Sequence, residues 1–99
     1  MKYFEEYLLR GVNFWGLTPQ NEPLDGRIPN YPYNCMGWNT TTMRTFIAEN
    51  LGLTLEQAGF GYLKLIMHDD QRPQVHKWAS EVMSDPRARE YIDGIGVHW

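Results

Sequence analysis

The chain is 99 residues long, enough for one small domain or a part of a larger one. Nine Lys and Arg against twelve Asp and Glu leave a net charge of −3 with no block of like charge, which argues against nucleic-acid or polybasic membrane partners. A hydrophobic share of 42% argues against disorder, and one cysteine, Cys35, rules out an internal disulfide framework or a cysteine-built zinc cage.

Tyr3, Phe4, Tyr7 and Leu8 form one apolar stripe at helical period, and Gly11 stands where a helix would stop. Val12 to Leu17 is a short apolar run suited to a buried strand. From Thr18 to about Asn39 the chain is rich in Pro, Gly and Asn, a loop of a length that is usually functional. Thr40 or Thr41 is placed to cap a second helix carrying Met43, Phe46, Ile47 and Leu51, with Gly52 as its stop. Thr54 and Gln57 then fit a capping box for one further turn. Leu63 to Met67 reads as the second strand.

Val75, Trp78, Ala79, Val82 and Met83 give the third helix its stripe. Asp85-Pro86 restarts a short helix to about Ile92. After Gly94, Ile95 to His98 is the third strand. Strands joined by crossover helices are parallel with right-handed connections, and such sheets need cover on both faces. Three strands of this kind, with two open edges, fit a partial (β/α)8 barrel. A complete one takes about 250 residues, so residues 1–99 are expected to be a fragment of roughly two fifths. No run approaches the roughly 18 apolar residues of a membrane span.

Chemically capable residues follow each strand: Thr18-Pro19-Gln20-Asn21-Glu22-Pro23, then His68-Asp69-Asp70-Gln71-Arg72, then His98-Trp99. In parallel α/β architectures ligands sit at these carboxyl ends. Glu22, hemmed by Leu17 and prolines, suits a general acid, because desolvation disfavours a carboxylate's anion. Asn21 offers a donor and an acceptor to a hydroxyl-rich ligand. The competing reading makes Glu22 a surface-loop residue and Asn21 a turn former. Asp69, Asp70 and Arg72 suit orientation of catalytic groups or binding of hydroxyls; alternatively an Asp caps the next helix and Arg72 pairs with an acid. His98 and Trp99 suit a sugar pocket or a core pair. Trp78 reads as core, and Trp15 and Trp38 are open. Asn39-Thr40-Thr41 is a glycosylation sequon. A metal site from His68, Asp69 and His98 is a second possibility, although no paired-His motif such as HExxH occurs. No metal and no cofactor is expected.

Leu17-Thr18-Pro19-Gln20-Asn21-Glu22-Pro23 resembles the acid/base segment of retaining β-glycosidases built on (β/α)8 barrels. Asn13-Phe14-Trp15, Tyr31 to Trp38, Met67 to Arg72, Trp78-Ala79, Asp85-Pro86 and Gly94 to Trp99 extend the likeness. Together they resemble glycoside hydrolase family thirty, and within it the acid β-glucosidase (glucosylceramidase) group, over nearly the whole chain. The resemblance implies a segment covering barrel strands 4 to 6. Glu22 would be the general acid/base and Asn21 the binder of the sugar 2-hydroxyl. Asp69, Arg72, His98 and Trp99 would line or buttress the pocket. It further implies hydrolysis of glucosylceramide in the lysosome, at an anionic membrane surface and with a lipid-presenting activator protein. Retaining hydrolysis needs a second carboxyl about 5–5.5 Å from the first. In the family that nucleophile is a Glu at the end of strand 7, so it is missing here. The isolated segment is expected to be inactive and poorly soluble, its strand edges being uncovered. A non-catalytic sugar-binding remnant is the remaining alternative.

Overall fold

Gly11 does end the first helix, α1 (Lys2–Leu9), with φ +82°. Its N–H donates to the Leu8 carbonyl and that of Val12 to Tyr7, the paired bonds of a Schellman turn. The computed structural model describes all 99 residues. The apolar run after Gly11 is a strand only at Gly16–Leu17, β1, and not over Val12–Leu17. Phe14 stacks 5.7 Å from Tyr3 and packs on Phe4, while Trp15 is exposed, so pairing with the next strand begins at the Trp15 carbonyl.

The second helix is capped by Asn39, not by Thr40 or Thr41. Asn39 Oδ1 accepts the Thr42 N–H at 2.7 Å, and the Thr42 hydroxyl bonds back to the Asn39 backbone. Gly52 is not its stop. α2 (Thr40–Phe46) passes through a π-helical segment, Ile47–Leu51, into α3 (Gly52–Gln57) without interruption. Gly52 is needed there for space: a Cβ would stand 2.3 Å from the Tyr91 ring. The Thr54 hydroxyl donates to the Asn50 carbonyl within the helix, so it forms no capping box. The helix ends instead at Gly59, φ +81°, in a second Schellman turn.

β2 runs from Lys64 to Gln71, four residues beyond the expected end. After a 3-10 turn (Arg72–Gln74) come α4 (Val75–Val82) and α5 (Pro86–Tyr91), the latter capped by Asp85 as its sequence requires. β3 is Gly94–His98. The sheet order is β1-β2-β3, all parallel, the arrangement expected from alternating strands and crossover helices.

The helices cover one face of this sheet. Leu65 and Met67 of β2 are buried with Met43, Ile47, Ala48, Trp78, Val82 and Ala88. A smaller cluster of Leu55, Phe60 and Leu63 receives Phe4 and Phe14. On β3, Ile95 and Val97 are partly exposed. On the other face, Gly94 and Gly96 lie against Ile66. No helix is long and apolar enough to cross a membrane.

Candidate active site

The site is built by an irregularity in β2. Between His68 and Asp70 the pairing with β3 slips by one residue, a β-bulge at Asp69. His68 (φ +73°) and Asp69 (φ +50°) both take the left-handed conformation, which costs a non-glycine residue about 1–2 kcal/mol. The extra residue sorts the polar side chains. His68 packs against Trp78, with ring centroids 5.9 Å apart, and donates from Nε2 to the Gln71 carbonyl. Asp70 is buried on the same side. Asp69 and Gln71 share the other.

Into that second side come the ends of β1 and β3. The Glu22 N–H donates to the Asp69 carbonyl at 2.9 Å, and Glu22 itself has φ +43°, a third strained residue at one point of the fold. Glu22 Oε1 accepts Gln71 Nε2 at 2.8 Å and His98 Nδ1 at 2.9 Å. His98 Nε2 donates to Asp69 Oδ1 at 2.7 Å, and Thr18 Oγ1 donates to Asp69 Oδ2 at 2.8 Å. Both ring nitrogens of His98 therefore face carboxylates. That is the arrangement of an imidazolium, and the bonds to Glu22 first and Asp69 second hold His98 above its usual value.

Two chemical consequences follow. Glu22 Oε2 bonds no protein group, so one oxygen of this carboxyl is fixed and the other is open to a ligand. Asp69 has both oxygens engaged by protein groups, Oδ2 by Thr18 and Oδ1 by His98. The surroundings of Glu22 are thus more polar than the apolar hem expected from Leu17 and the prolines. Pro23 alone among those prolines is buried, directly beside it.

Of the residues singled out in sequence, Glu22, Asp69 and His98 meet in one network. Asn21 and Arg72 are exposed, with no side-chain bond to it. Trp99 follows His98 and is 92% exposed. Asp70 does not cap the following helix: its carboxylate accepts the Leu24 N–H from the first loop and the Gln71 N–H. Trp78 is core; Trp15 is exposed, and Trp38 packs on Phe46. His68 lies in the Trp78 layer, away from Asp69 and His98, and no three His, Cys, Asp or Glu side chains converge as metal ligands. Gln71 and Thr18 lie within the polar runs that follow the strands, and are the partners to which sequence reasoning gave no individual role. Gln71 had one usable signal: it lies two residues from Asp69, the spacing that puts strand residues on one face.

The comparisons agree with this architecture. The chain is 40% identical over 99 residues to the lysosomal acid glucosylceramidase of Mus musculus, covering all of this chain and 19% of that protein. Its fold superposes on SrfJ from Salmonella typhimurium with a TM-score of 0.87 at 22% identity, over 99% of this chain and 21% of the other. An endo-beta1,6-glucanase gives 0.78, also at 22% identity, over 95% and 21%. The chain thus spans about a fifth of the length of the proteins it matches. The family model of the glycosyl hydrolase family 30 TIM-barrel domain matches residues 1–99 throughout, and the chain belongs to that family.

Proposed function

We propose that this chain is the acid/base segment of a retaining β-glucosidase acting on glucosylceramide, with Glu22 as the general acid/base. The observation that carries the reading is the asymmetry of Glu22: Oε1 held by Gln71 and His98, Oε2 free. A carboxyl so oriented, at the carboxyl end of a barrel strand, can carry its proton on Oε2 and deliver it to a glycosidic oxygen as the bond to the leaving group breaks. The resulting carboxylate then takes a proton from the water that attacks the glycosyl intermediate. Asn21, next in the chain and exposed, is available to the sugar 2-hydroxyl. Arg72 and Trp99, also exposed, are available to the rest of the ligand. Asp69 and His98 support Glu22 from behind.

Retention requires a second carboxyl as nucleophile. Asp69 is occupied by Thr18 and His98, and Asp70 is buried under the loop. On this reading the nucleophile comes from outside residues 1–99, and these residues are a catalytic-domain fragment corresponding to barrel strands 4 to 6. Likeness to a lysosomal acid glucosylceramidase supports a lysosomal setting; a lipid-presenting activator protein and an anionic membrane surface are proposed with it as partners. An acidic compartment also suits a site in which His98 is an imidazolium.

The test is Glu22→Gln in the full-length protein. The value of kcat/KM should fall by about 10²–10⁴ for glucosides with poor leaving groups. It should be nearly unchanged for activated aryl glucosides, whose leaving groups need little protonation. Equal loss on both would remove Glu22 from the acid role. Binding of glucosides with no turnover by the full-length protein would favour a sugar-binding remnant instead.

A further inference from the structure

Asp70 is 1% exposed, buried more deeply than any other ionisable side chain. No cation pairs with it. Its two oxygens accept two main-chain donors, the Gln71 N–H at 2.7 Å and the Leu24 N–H at 3.1 Å. Removing a carboxylate from water is costly, and an apolar side chain of similar size would fill the space without that penalty. What the charge adds is a tie between segments 46 residues apart.

Both tied segments lead to one carboxyl. Leu24 lies two residues beyond Glu22, with buried Pro23 between them. Gln71 carries the amide that fixes Glu22 Oε1. The Glu22 N–H is anchored to the Asp69 carbonyl, one residue before Asp70. Glu22 thus has its backbone pinned on both sides and its side chain gripped at one oxygen, and two of these ties run through Asp70. Such pinning keeps a residue at φ +43° in a conformation it would otherwise leave.

Resting on the reading of Glu22 as acid/base, we propose that Asp70 is a positioning residue for that group. Its carboxylate clamps the Glu22–Leu24 turn to the β2 bulge and so aims Glu22 Oε2 at the substrate. Asp70 touches no substrate. In Asp70→Asn one oxygen remains to accept one N–H, and the amide NH2 meets the other donor to donor. The turn then loosens and Glu22 swings.

The experiment compares wild type, Asp70→Asn and Glu22→Gln in the full-length protein, using one poor-leaving-group and one activated aryl glucoside on each sample. The ratio of the two kcat/KM values does not depend on how much of a sample is folded. Glu22→Gln should change it by its full acid/base factor. Asp70→Asn should change it in the same direction by about 10- to 100-fold, the cost of a misplaced catalytic group. If Glu22→Gln shifts the ratio and Asp70→Asn does not, the clamp is wrong and the acid assignment stands. If neither shifts it, the acid assignment fails and takes the clamp with it. Where Asp70→Asn yields no folded protein, Asp70→Ser, small enough to admit a water at the two N–H groups, carries the same comparison. Failure of both to fold would assign the carboxylate to stability and overturn the proposal.

Discussion

His98 Nδ1 lies 2.9 Å from Glu22 Oε1, joining the end of β3 to the loop after β1 across 76 residues of chain. The opposite nitrogen of the same ring meets Asp69 at 2.7 Å. One proton on this ring therefore decides whether both carboxylates keep a donor.

Bonding to Glu22 and then Asp69 raises His98 above its usual value of 6.5. A raised value in the folded state gives stability that is fully present below the unfolded value and lost as pH rises through the folded one. Unfolding free energy should therefore fall between about pH 5 and about pH 9, and fall less in His98→Gln. Urea denaturation at the two pH values, wild type against variant, measures it. Identical slopes would contradict the bridging role.

Gln71→Met preserves side-chain length and removes the amide that steadies Glu22. That amide fixes the orientation of Glu22, so a loss of kcat/KM of about tenfold to hundredfold on poor-leaving-group substrates is expected, the cost of a misplaced catalytic group. Steady-state kinetics on the full-length protein tests this, and an unchanged rate would make the contact incidental.

Gly26 and Gly37 close the loop that carries Glu22. A Cβ on Gly26 would stand 2.1 Å from the Gly37 nitrogen, backbone that has nowhere to move, just where the Trp38 N–H donates to the Pro23 carbonyl. Gly26→Ala should destabilise by about 1–3 kcal/mol, as overpacking does. A denaturation midpoint equal to wild type would refute the close approach.

Asn39→Ala removes the helix cap and should cost about 0.5–2 kcal/mol. Asn39→Asp destroys the same glycosylation triplet while keeping an oxygen for the Thr42 N–H, and should cost far less. Thermal unfolding of the two variants separates capping from modification; equal losses would mean the cap contributes nothing.

Much of the fold could be read from spacing over a few residues. Gly11 after a 3.6-period stripe, Asp85 before Pro86, and the Val75–Val82 stripe all act through their immediate neighbours, and all appear where expected. Gly52 misled because its local meaning, a helix stop, was overridden by a ring from elsewhere: Tyr91 packs where a side chain would be. The shift of the cap from Thr40 to Asn39 is smaller, a choice among adjacent residues of similar chemistry.

Glu22, Asp69 and His98 were legible as candidates because polar residues at the carboxyl ends of parallel strands must face a common rim. Their connectivity was not. At the Asp69 bulge, β2 both pairs with β3 and bonds the loop after β1. The bulge sends Asp70 inward and brings Gln71 to Glu22, through partners that lie 46 and 49 residues away. Local periodicity carries the order of helices and strands, since backbone propensity and capping act over single turns. Which oxygen of Glu22 is held and which is free depends on a register shift between two strands, and no stretch of neighbouring residues contains that information.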